Sequence, residues 1–134
     1  MGQIKKVISL LVIAVLAIAA SASVTLRHCD TAQKVIDVVT DGNASHLLFF
    51  YDSLDVSSMR VYNTLTSLKT QKKHVVEVLD IRNTQTGWLM STFEVFYVPT
   101  LRLVKWTASG RKILDGTQGM DFSPMSLAQF LDRY

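Results

Sequence analysis

The run His46-Leu47-Leu48-Phe49-Phe50-Tyr51-Asp52-Ser53-Leu54-Asp55-Val56-Ser57-Ser58-Met59 holds the pattern of a strand, a turn and the start of a helix. Leu47 to Tyr51 is an unbroken apolar run of strand length, the pattern of a central strand covered on both faces. Asp52-Ser53-Leu54-Asp55 supplies turn residues, and Asp55 stands as an N-cap before Val56. The spacing beyond it predicts a helix from Val56 to about Lys72, with Met59, Val61, Tyr62, Leu65 and Leu68 toward a core.

Upstream, Val24-Thr25-Leu26 reads as a short first strand. Asp30 then offers an N-cap to a helix with Ala32, Val35, Ile36 and Val39 on one face, closed by Asp41-Gly42-Asn43. Downstream, Val75 to Leu79 with Ile81 is a further buried strand, and Thr84 to Phe93 suits a helix with Trp88, Leu89 and Phe93 inward. Leu101 to Trp106 partly alternates, and Ser109-Gly110 turns it toward Lys112-Ile113-Leu114. Ser126 to Leu131 makes a last helix burying Leu127, Phe130 and Leu131. The order β-α-β-α-β-α-β-β-α, with a closing hairpin, implies a mixed central sheet with helices on both faces.

These elements, in this order, resemble the thioredoxin fold as used in protein disulfide isomerases. Val24 through Ile36 is similar to the first strand and helix of isomerase domains, and Phe50-Tyr51 to the Phe-Tyr or Phe-Trp ahead of their active site. Phe93-Glu94-Val95-Phe96-Tyr97-Val98-Pro99-Thr100 looks like the family segment Tyr-Gly-Val-x-Gly-Tyr-Pro-Thr, and Gly116 sits where the family has a glycine after its last strand. The resemblance covers residues 23–134 and implies that Pro99 is a cis proline facing the redox site.

The departures are as informative. Asp55 and Ser58 occupy the two positions of the family's Cys-x-x-Cys, and dithiol exchange needs a thiolate nucleophile and a second thiol to resolve the mixed disulfide. Phe49 stands where the family has a buried carboxylate that relays protons, a group costly to bury when unused. The expectation is a domain without redox activity and with no catalytic residue. Asp55 fits its place otherwise, as an anion capping the N–H of Ser57 or Ser58. Ser58 has no base near it in sequence that would make it a nucleophile.

In the family the substrate peptide meets the pole formed by the active-site and cis-proline loops. Leu54, Val56, Phe96, Tyr97, Val98 and Pro99 are the expected partner-binding residues there, Phe96 and Tyr97 adding aromatic area that suits an interface. The expected partner is a protein or an unfolded polypeptide. The alternative function is a structural subunit of a membrane-associated complex.

Lys5 and Lys6, the apolar run from Val7 and the small residues Ala20-Ser21-Ala22 compose a secretory leader cut after Ala22. A retained membrane anchor is the rival reading, since no charge lies between Lys6 and Arg27. Cutting there leaves 12 basic against 11 acidic residues, too even for a nucleic-acid binder. Lys69, Lys72 and Lys73 are expected at the C-terminal end of the second helix, where its dipole favours cations. The expected location is the secretory pathway, in the endoplasmic reticulum lumen or secreted, or membrane-anchored with the domain on the lumenal or extracellular side. Asn43-Ala44-Ser45 is a glycosylation sequon. Cys29, the sole cysteine, is read as a partly buried free thiol, one strand removed from the redox position. An intermolecular disulfide is the alternative, and residual thiol chemistry the remote one. His28, His46 and His74 lack ligand spacing, so neither a metal nor another cofactor is expected.

Overall fold

The computed structural model describes residues 22–41, 44–106, 112–116 and 122–134. The leader or anchor segment, Asn43 of the sequon and the turn at Ser109-Gly110 lie outside the described residues. Its elements are β1 (Ala22–His28), α1 (Ala32–Val39), β2 (Ser45–Tyr51), α2 (Val56–Ser67), β3 (Lys69–Thr70), β4 (His74–Asp80), α3 (Leu89–Thr92), β5 (Thr100–Trp106), β6 (Lys112–Gly116) and α4 (Pro124–Asp132). The strands form a six-stranded sheet in the order β3-β1-β4-β2-β5-β6. β1, β4 and β2 are parallel, while β3, β5 and β6 each run antiparallel to a neighbour.

The apolar run that suggested a central strand lies between β4 and β5. Leu47, Phe49 and Tyr51 pack on one face with Val61 and Leu65 of α2 and Leu127, Phe130 and Leu131 of α4. Leu48 and Phe50 pack on the other with Val35 and Val39 of α1 and with Leu89, Phe93 and Val95. Alternate side chains of one strand thus feed two cores, which is why no polar residue interrupts it. Phe49, fully buried, stacks on Tyr51 at 5.6 Å between ring centroids. Burying such a ring contributes about 2–3 kcal/mol, and a carboxylate in its place would lie against apolar rings.

Several expectations need correction. The second helix ends at Ser67, not near Lys72, and Leu68 turns extended (φ −67°, ψ 135°). Thr64, Thr66 and Ser67 hydrogen-bond back to the carbonyls of Arg60 and Asn63, and hydroxyl residues of this kind weaken a helix end. Lys69 and Thr70 instead form β3 and pair with Ser23 and Ala22. Lys69, Lys72 and Lys73 are therefore not in a last helical turn. Asp132 at the end of α4 accepts from the backbone N–H of Gln71 (2.9 Å) and Lys72 (3.2 Å), fastening the turn that follows β3.

The first strand begins at Ala22 rather than Val24. α1 is capped by Thr31, whose hydroxyl accepts from the Lys34 N–H, while Asp30 pairs instead with the Lys34 ammonium at 2.7 Å. Ile36 is exposed. The expected helix from Thr84 shrinks to Leu89–Thr92. Buried Thr86, its hydroxyl on the Asp80 carbonyl, takes the interior position expected of Trp88, whose ring is 59% exposed with its N–H on the Gln85 carbonyl.

Candidate functional site

β1, β4 and β2 point their C-terminal ends at one pole, where ligands of open α/β sheets gather. β5 runs antiparallel to β2 with Thr100 opposite Phe50, so the loop entering β5 lies beside the loop leaving β2. Residues 52–55 and 94–99 therefore meet at this pole. The Val98–Pro99 peptide is cis.

Asp55 caps α2. Its carboxylate accepts from the Ser57 hydroxyl at 2.7 Å and the Ser58 N–H at 2.9 Å, and these hydrogen bonds, the Ser57 one foremost, hold its carboxyl below the ordinary value. It is a stable anion at a helix start. Ser58 is fully buried, and its hydroxyl accepts from the Asp52 N–H at 3.2 Å. A shielded hydroxyl engaged with backbone is placed for structure, not for attack on a substrate.

The loop is braced from β4 in a way the sequence did not suggest. Arg82 donates to both carboxylate oxygens of Asp52, from Nε at 2.5 Å and Nη2 at 3.1 Å. This fork, first among the causes, holds the Asp52 carboxyl below its usual range. Asp80 Oδ1 accepts from the N–H groups of Ser53 (3.3 Å) and Arg82 (3.1 Å). No local spacing announces a pair thirty positions apart, although two carboxylates and an arginine just past strand ends were a usable hint.

Leu54 is 75% exposed, Val56 74%, Phe96 78% and Tyr97 52%, while Val98 is half-buried against the α1 and α3 core. Four large apolar side chains thus stand in solvent at this pole, Leu54, Phe96 and Tyr97 on the two loops and Val56 on the first residue of α2. A shallow cavity on the α2 side, with Leu54 and Val56 in its wall, is lined by Ser53 to Val56 with Met59, Arg60 and Asn63.

Cys29 follows β1, and β4 separates that strand from β2. The thiol is 4% exposed and donates to Glu77 Oε2 at 3.4 Å. Glu77 is also buried and pairs with Arg27. Burial, and after it the Glu77 carboxylate, pushes the thiol up to about 12, so thiolate is scarce at neutral pH. Cys29, expected partly buried, is fully buried in the core beneath α1, with the Glu77 carboxylate as its hydrogen-bond partner. The histidines occupy three separate places: His28 against Tyr62, His74 against Asp132, and His46 at 3.6 Å from Asp41. Among the described residues no group of His, Cys, Asp and Glu has the arrangement of a metal site.

Solved structures similar to this one include oxidized thioredoxin O2 from Arabidopsis thaliana (TM-score 0.60, 13% identity, 83% of this chain and 93% of that one). Oxidized thioredoxin from Plasmodium falciparum (0.58, 14%, 84% and 98%) and thioredoxin from Fasciola hepatica (0.57, 15%, 80% and 97%) are similar to the same degree. No family model matches the chain, and no curated protein sequence does. The domain has the thioredoxin-like fold. At the positions where the sequence reading placed that fold's paired cysteines it carries a capping aspartate and a buried serine.

Proposed function

We propose that this is a non-catalytic, protein disulfide isomerase-like domain of the secretory pathway that binds unfolded polypeptide or a protein partner through the pole around Pro99. The observation that carries the reading is the exposure of Leu54, Phe96 and Tyr97 on adjoining loops and of Val56 at the start of α2. Apolar side chains clustered in solvent mark interaction sites, and aromatic rings contribute most to such contacts. The absence of redox activity rests on three substitutions that act together. Asp55 is an anion that cannot form a mixed disulfide, Ser58 is a buried hydroxyl, and Phe49 fills the proton-relay position with a ring. Cys29, with its thiolate suppressed, offers no substitute.

A photoreactive amino acid in place of Tyr97 tests the binding. Incubated with carboxymethylated lactalbumin, which cannot refold or exchange disulfides, it is expected to crosslink to that chain and far less to native lactalbumin. The same amino acid at exposed Thr25 on β1 is expected to give background only. Equal yields from both positions would remove the pole from the account.

A further inference from the structure

We propose that Arg102 is a positioning residue for the pole, holding the Phe96–Tyr97 loop outward through a lock that works only because residue 116 is glycine; the proposal rests on the docking reading above for its consequence, though not for its geometry. The loop begins where α3 ends. Phe93 is the C-cap, and Glu94 adopts a left-handed conformation at φ 58°. The Val95 N–H reaches back to the Met90 carbonyl at 2.8 Å and the Glu94 N–H to Ser91 at 3.2 Å. Those two bonds compose a Schellman stop, with buried Val95 and half-buried Met90 in the same core. Glycine normally takes the left-handed position of this motif, and a glutamate there is strained by its Cβ. A side chain from β5 adds a further hold on this strained reversal.

Arg102 supplies it. The residue sits on β5 between Leu101 and Leu103, which face the α2–α4 core, so its own side chain emerges on the opposite face, where α3 lies. Its Nε donates to the Phe93 carbonyl at 3.1 Å and its Nη2 to the Glu94 carbonyl at 2.7 Å. A charged, planar fork thus binds two successive carbonyls at the point where the chain reverses toward Phe96. On β6, Gly116 is the residue directly opposite Arg102. A Cβ at Gly116 would overlap Arg102 Nη1 and approach the Leu101 carbonyl oxygen to 2.6 Å. The missing side chain is the space the guanidinium crosses. Arg102 and Gly116 therefore act as one device, and a side chain at 116 displaces the guanidinium while residue 102 stays arginine.

Three variants of the full chain test this: Arg102→Met, which keeps the stem and removes the donors; Gly116→Ala, which displaces the fork; and Arg102→Lys, which keeps the charge with a single point of attachment. Hydrogen exchange followed by residue reads the lock with no ligand present. Arg102→Met and Gly116→Ala are expected to speed exchange at Glu94 and Val95, whose N–H groups hold the reversal, by about tenfold or more, with Leu48 to Phe50 unchanged and Arg102→Lys intermediate. Unchanged exchange in the loop, or an equal rise throughout β2, overturns the lock. Affinity for carboxymethylated lactalbumin, read by anisotropy, is expected to fall at least about fivefold in the first two variants and less in Arg102→Lys. Faster loop exchange with unaltered affinity overturns the positioning role. A natural chain that does not bind the probe overturns the docking reading, and the exchange rates still decide the lock.

Discussion

Asp55, Ser58 and Phe49 carry the argument one side chain at a time. The capping role of Asp55 follows from its type and place, because a short acceptor before a helix satisfies an orphan N–H, and the carboxylate does accept from Ser58. The Thr31 cap was harder to see. Asp30 and Thr31 are both good capping residues, and only the reach of Lys34 to Asp30 decides between them. Arg102 and Arg82 were hidden for another reason, since their partners are far along the chain or are backbone carbonyls. If the thiols alone are missing from a working scaffold, Asp55→Cys combined with Ser58→Cys is expected to gain insulin reduction with dithiothreitol as electron source. The rate should stay low, because Phe49 offers no proton relay. The natural chain is expected to show no turnover above reductant alone. Turnover by the natural chain, abolished by Cys29→Ser, would contradict the non-enzymatic reading.

Elements with a strong apolar period were readable: β2, β4, the body of α2 and the closing helix all stand near where their side chains placed them. What failed were ends and short pieces, which tertiary contacts decide. α2 stops early because hydroxyl residues loosen its last turn and Leu68 is needed in the core. β3 pairs with the start of β1, and a carboxylate some sixty positions away fastens the turn after it by the N–H groups of Gln71 and Lys72. That carboxylate makes a prediction. Burial alone would raise the Asp132 carboxyl, but the hydrogen bonds from Gln71, His74 and Lys72 outweigh it and hold the group below its ordinary value. A folded-state value below the unfolded one gives stability that is complete above the unfolded value, about pH 4, and is lost as pH falls through the folded one. Asp132→Asn is therefore expected to cost about 1–2 kcal/mol near pH 7 by urea denaturation, with the gap to the natural chain narrowing near pH 3. A gap independent of pH would mean that the carboxylate charge contributes nothing there.

Across the whole molecule, the two ends of the parallel strands have different duties. The apolar loops occupy the C-terminal pole, whereas β1 starts at Ala22 at the other, about 20 Å away along seven residues of strand. Residues preceding Ala22 therefore join the domain on the side away from the proposed docking surface. If the pole binds unfolded chain without reacting with it, titrating the natural protein with carboxymethylated lactalbumin will move amide signals saturably and chiefly at Leu54, Val56, Phe96 and Tyr97, with Lys69, Thr70 and Asp132 at the far end still. A silent pole, or shifts gathered around β3 and the end of α4 instead, would overturn binding at that surface.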